Sequence, residues 1–352
     1  MRNTRIACID GLRGVAILSV IFYHAFARWP ALVLMPYGQA YARVFGWGWL
    51  GVELFFIISG FVMCMTLDRC STFVEFMWKR WLRLFPGMLV ASLLIYATAP
   101  YINRPLGLPS VSQLLPGLTF IDAKWWALIH GPDSLEGSFW SLYAEMKFYV
   151  FAGAAYFTLG RRWVRIGLIS GFTGYWLAKA LDIGSLTYVA YLFDVSYWAW
   201  FACGAFFYEW QRSGSQLQFF AALVVGAIAS VAPVPGVADI PNMEFAPLLG
   251  FPFVLLFAGA LAIPVIQRSL SNRFLVFVGF TSYPLYLIHE HALVGLIQLL
   301  GLKSPVAVVL PISTLLVVAW LIARFGEPLI RRLIAVPSMI RRQRIAAMPS
   351  PN

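Results

Sequence analysis

Charge is what this chain has least of. Asp, Glu, Lys and Arg make up 12% of its 352 residues against 61% hydrophobic, and mean hydropathy is +0.77. So small a charged fraction excludes a soluble globular surface. The four cysteines, Cys8, Cys64, Cys70 and Cys203, have no paired spacing, which leaves no disulfide framework and no cysteine metal motif. Gly/Ser-rich linkers, repeat periods and soluble stretches of domain size are also lacking, so residues 1–352 read as a single membrane domain. The longest segment outside the apolar runs lies near 102–137.

What is present is a succession of apolar runs, each long enough for a bilayer core of about 30 Å. About ten are expected, near 9–28, 47–66, 84–101, 138–160, 163–181, 188–209, 217–234, 246–266, 274–298 and 304–324. The fold class is therefore an all-α, polytopic integral membrane protein. The first run carries charges and has no small-residue cleavage site behind it, so it is expected to stay as a span rather than leave as a signal peptide.

Lys and Arg accumulate on cytoplasmic loops. With the N-terminus inside, Arg2, Arg5, Arg69, Lys79, Arg80, Arg83, Arg161, Arg162, Arg165, Arg212, Arg268, Arg273 and the cluster from Arg324 to Arg344 fall on one side. Arg28, Arg43, Arg104, Lys124, Lys179 and Lys303 are scattered on the other. Both termini are thus expected in the cytoplasm. The net charge of +11 reads as topology signal and anionic-lipid contact, not as a nucleic-acid footprint.

Ionisable groups inside spans are costly and point to function. Arg13 and His24 are eleven positions apart, which returns to within roughly 20° of one helix face and separates them by roughly 16 Å along the axis. Depth from the outer surface, at 1.5 Å per residue, comes to roughly 6 Å for His24, 9 Å for Glu53 and 10 Å for Glu145, with His289 similar. Four helices bring acid or imidazole to one level. The competing readings are an interfacial, lipid-bonded His24 and glutamates that only pair with Lys or Arg to hold helices together. Glu290 and His291 fall closer to the interface and are read as solvated. The run His-Glu-His lacks the helical spacing of a zinc site, so no metal is expected. Arg80 and Arg83, one turn apart at the start of the third span, could together face a phosphate, although positive-inside bias alone places bases there.

The segments IDGLRGVAILSVIFYHAF, GVELFFIISGF, KRWLRLFPG, SFWSLYAEMKFY, SYPLYLIH and GEPLIRR, in that order, resemble the membrane-bound acyltransferase 3 family over about residues 8–333. Arg13 and His24 match the family's hallmark pair with ten residues between, and Arg80 and Arg83 match its basic third-span opening. Glu53 matches the acid of the second-span motif, and Trp140, Ser141 and Glu145 fall in the tryptophan-serine-leucine motif. The resemblance implies transfer of an acyl group, usually acetyl, from cytoplasmic acyl-CoA to a hydroxyl of a cell-surface carbohydrate or carbohydrate-bearing lipid, such as O-antigen or exopolysaccharide. It further implies residence in a bacterial inner membrane. Larger members carry an appended extracytoplasmic domain, which is not expected here.

On this reading Arg80, Arg83 and Arg13 hold the coenzyme A phosphates. His24 acts as general base on the acceptor hydroxyl, and Glu53 or Glu145 orients its ring. His289, Trp140 and Ser141 are further candidates for substrate or donor contact. A transporter or flippase-like carrier in a surface polysaccharide pathway is the alternative; it too would place Glu, His and Arg inside the membrane, but the internal repeat that would favour it is not visible.

Overall fold

The computed structural model describes residues 2–29, 38–232, 248–301 and 303–334, and their regular structure is helical, with no strand among them. The chain runs α1 (Arg2–Phe26), α2 (Gly38–Phe45), α3 (Gly51–Leu67), α4 (Phe73–Thr98), α5 (Leu114–Thr119), α6 (Ala123–Ala127), α7 (Trp140–Leu159), α8 (Arg161–Ala180), α9 (Gly184–Leu192) and α10 (Trp198–Ser213). It continues through α11 (Gln216–Val231), α12 (Phe251–Ala262), α13 (Pro264–Leu270), α14 (Arg273–Leu299) and α15 (Val309–Leu321). A helix satisfies its own backbone polar groups, so it is the form an apolar run takes in lipid.

Among the described residues, four stretches are long and apolar enough to cross a membrane: Ala7–Phe26, Ala40–Leu67, Phe73–Tyr101 and Val306–Ile334. A fifth joins them if α12 and α13, bent by 105° at Ile263, count as one. Pro264 opens α13 without an N–H to continue the preceding hydrogen-bond ladder. Elsewhere side chains start the helices: Thr72 accepts from the Glu75 N–H at 3.2 Å, and Asn272 from the Leu275 N–H at 2.9 Å.

The single run expected over 188–209 is instead two helices. α9 ends at Leu192, Asp194 turns the chain in the left-handed region at φ 53°, and α10 starts at Trp198. Asp tolerates that conformation better than most residues. The corner is tied from outside: Lys147 donates to the Leu192 carbonyl at 2.9 Å and to Asp122 at 2.6 Å, both Lys147 and Lys124 pair with Asp194, and Trp125 Nε1 donates to Leu192 at 2.9 Å. The acid in mid-run, with two lysines to meet it, breaks the span.

The seam between α1 and α14 matters most for function. A Cβ at Gly279 would lie 1.8 Å from the Asp10 carbonyl oxygen, and one at Gly14 would lie 2.4 Å from the Leu275 carbonyl oxygen. Glycine at both positions lets the two backbones approach with nothing between them. The register is parallel, Gly14 beside Leu275 at one end and His24 beside His289 at the other.

Candidate functional site

Of the polar groups inside this helical body, two hold the residues that the sequence singles out. The first lies at the far end of the seam. His24, in the last turn of α1, has its Nδ1 2.9 Å from the Val20 carbonyl and 3.2 Å from His289 Nε2, with the two rings edge to face at 4.7 Å. His289 is fully buried, and its Nδ1 is 2.8 Å from the Tyr286 carbonyl. A carbonyl only accepts, so His289 carries its proton on Nδ1 and offers Nε2 as an acceptor. His24 therefore carries its proton on Nδ1, shared between Val20 and His289. That leaves the His24 Nε2 lone pair uncommitted, and the nearest charged group to it is Glu290 Oε1 at 3.7 Å.

Glu290 and His291 correct an expectation. Neither is solvated: they are 5% and 1% exposed. The outward segment folds over them. Glu136 takes the His291 ring at 2.7 Å, and Arg104 Nη2 donates to the Leu135 carbonyl at 2.7 Å and to Glu136 at 3.0 Å. Ligand atoms of Glu136, Glu290 and His291 lie within 4.8 Å of one another, which is close enough to hold a cation. Arg104 Nη2, also 3.0 Å from His291 Nδ1, brings a positive charge to this place from the chain itself.

The second group lines an open cavity whose empty space, the solvent at its mouth included, is about 670 Å³. Arg13, Arg80 and Arg83 stand in its wall together with Ser59, Ser141, Glu145, Tyr149, Tyr283 and Tyr286. Arg13 is held by Asp10 at 2.8 Å. Arg80 and Arg83 differ in character. Arg83 is exposed, whereas Arg80 is 4% exposed, donates to the Val62 carbonyl at 3.1 Å and to Thr66 Oγ1, and lies over the Tyr149 ring. Arg80 thus ties α4 to α3 while bordering the cavity.

The expected convergence of four helices divides between these groups. Glu145 accepts from the Ser59 and Tyr149 hydroxyls in the cavity wall. Glu53 is buried in the first turn of α3, and its Oε2 has no hydrogen-bond partner. Neither glutamate is among the polar contacts of His24 in the described residues; Glu290 occupies that place. Ser141 Oγ is 2.8 Å from Tyr286 Oη, and Trp140 packs on Tyr197 with ring centroids 4.9 Å apart. Tyr286 connects the groups, since it borders the cavity and its ring lies 5.4 Å from that of His289.

Sequence reasoning missed Arg104, Glu136 and Glu290. Arg104 and Glu136 are 32 residues apart in an irregular segment, where no periodicity predicts a meeting. A signal existed for Glu290, an acid flanked by two histidines on one helix.

The sequence model of a family described as an acyltransferase domain matches residues 6–324. Over 160 residues the chain is 28% identical to the "O-acetyl transferase" of Shigella phage Sf6, covering 42% of this chain and 45% of that one. Over 159 residues it is 30% identical to the "Putative peptidoglycan O-acetyltransferase YrhL" of Bacillus subtilis strain 168, covering 40% and 22%. A "Putative O-acetyltransferase" of Staphylococcus aureus strain COL is 26% identical over 197 residues, covering 51% and 29%. In each case the match spans less than half of the relative's length. No solved structure matches significantly.

Proposed function

This chain belongs to the acyltransferase family whose model covers residues 6–324, and from that premise we propose that it moves an acetyl group from cytoplasmic acetyl-CoA to a hydroxyl of a cell-surface carbohydrate or lipid-linked carbohydrate. The protein spans a bacterial inner membrane several times with both termini in the cytoplasm. One observation carries the reading: an arginine-bordered cavity extends to Tyr286, and beyond that ring stands a histidine pair with one free imidazole lone pair.

Arg83, Arg13 and Arg80 hold the coenzyme A phosphates at the cytoplasmic mouth, where guanidinium groups suit phosphate oxygens. The extended arm of the donor carries the thioester along the cavity toward Tyr286. The acceptor hydroxyl gives its proton to His24 Nε2 as its oxygen bonds to the thioester carbonyl carbon. The carbon–sulfur bond then breaks, the coenzyme A thiolate takes the proton from the imidazolium, and the ester and free coenzyme A leave. Tyr286 and Ser141, hydrogen-bonded to each other at the cavity's inner end, are placed to contact the thioester.

The names of the relatives support an O-acetyl product, and the B. subtilis relative's name specifies peptidoglycan for that protein. The test is purified protein in detergent with radiolabelled acetyl-CoA and a glycolipid extract of the source cells. Free coenzyme A and labelled glycolipid should appear together, and only with both substrates present. Absence of both products at any protein concentration would overturn the proposal.

A further inference from the structure

His24 Nε2 and Glu290 Oε1 face each other across 3.7 Å, too far for a direct hydrogen bond. Both are acceptors once the His24 proton is fixed on Nδ1 by Val20 and His289. The second oxygen of Glu290, Oε2, is buried and has no hydrogen-bond partner among the described residues. The neighbouring cation is engaged elsewhere, for Arg104 is committed to Glu136 and Leu135, and Glu136 also takes His291. A carboxyl group 5% exposed and so poorly satisfied costs stability unless something fills its need.

Gly137 borders that carboxyl group from the outward segment. It is solvent-exposed and lies directly against the carboxyl group, so that a Cβ there would come within 2.8 Å of Glu290 Oε2 and 2.9 Å of Oε1. Glycine at this position leaves room for the Glu290 carboxyl group, which a side chain would displace.

Resting on the acyl-transfer reading, we infer that His24 and Glu290 together form the acceptor subsite and that it selects a substrate with two neighbouring hydroxyl groups. A single hydroxyl has one proton and can satisfy one of the two facing acceptors. A vicinal diol has two protons at adjacent positions, one for His24 Nε2 and one for Glu290. The hydroxyl on His24 is the one acylated; its neighbour holds the ring in register and gives the buried carboxylate its missing donor. Glu290 thereby discriminates sugars and other vicinal polyols from isolated alcohols, and it selects position on the sugar.

Periodate cleaves carbon–carbon bonds between neighbouring hydroxyls and, followed by borohydride, leaves isolated alcohols. The glycolipid extract so treated should lose its acceptor function with the wild-type protein. Glu290→Ala should raise the acceptor KM about tenfold or more, the effect of one hydrogen bond to a charged group, with the acetyl-CoA KM unchanged. Glu290→Gln, which keeps an accepting oxygen, should recover much of the loss, and Gly137→Ala should raise the acceptor KM from the other side. Full acceptance of the treated extract, or a fall in kcat alone in both Glu290 variants, would overturn the subsite. No transfer to the untreated extract by wild type would instead overturn the acyl-transfer reading itself. The periodate comparison uses only wild-type protein and decides the matter even where Glu290→Ala fails to fold.

Discussion

His289 Nε2 lies 3.2 Å from His24 Nδ1, and the Tyr286 carbonyl on the far side of His289 sets the direction of the proton between them. His24→Gln keeps the size and polarity of the ring but removes the base. We expect insertion, donor binding and thermal stability to persist while transfer falls at least about 100-fold. His289→Gln, whose side-chain oxygen can take the Nδ1 proton, should retain more turnover than His289→Ala. Near wild-type transfer by His24→Gln would end the catalytic assignment.

Arg80 and Arg83 should separate, although one turn of helix makes them look alike. Arg83→Ala is expected to raise the apparent donor constant roughly 5- to 150-fold, the equivalent of about 1–3 kcal/mol for a charge-assisted phosphate contact, with thermal stability unchanged. Arg80→Ala removes the donor to Val62 and Thr66 and should lower stability as well as donor use. Isothermal titration with acetyl-CoA and a thermal melt on both variants check this. Equal melting temperatures for the two would contradict the division.

Lys147→Met tests the corner at Asp194. Lys147 is largely buried and joins Asp122 and Asp194, so its loss leaves two buried carboxylates to Lys124 alone. Breaking a buried pair of this kind costs about 3–5 kcal/mol. The expected outcome is a large fall in thermal stability and faster proteolysis within 102–137, where Asp122 and Lys124 are anchored. A melting temperature equal to wild type would show the network to be dispensable.

Gly279→Ala addresses the seam. The added methyl meets backbone, not a movable side chain, so α1 and α14 must part. Overpacking of this kind costs about 1–3 kcal/mol. Transfer should fall further than stability, because a displaced α14 carries His289 and Glu290 away from His24. Unchanged transfer would show that the seam does not position the pair.

The sequence made some of this plain for a physical reason. Arg13 and His24 share one helix, and helix geometry is fixed by the backbone, so spacing located them. His289 was legible by depth alone. Glu290 and His291 were not, because burial near a span end depends on what folds over it, and Arg104 and Glu136 come from an irregular segment whose path no periodicity records. Asp194 was lost within an apolar run. Its two lysine partners, one on α6 and one on α7, are distant in sequence, and only their meeting makes a turn cheaper than a continuous helix at that point.

His24 and His289 are separated by 265 positions, one on α1 and the other on α14. The parallel seam therefore imposes an order on biosynthesis. During translation α1 enters the bilayer with only the Val20 carbonyl of its own helix to hold the His24 ring, and the second partner, His289, arrives when the ribosome has delivered α14. A chain stalled anywhere earlier lacks both His289 and Glu290. The paired imidazole that we propose for acyl transfer is therefore assembled only in copies whose synthesis has passed α14.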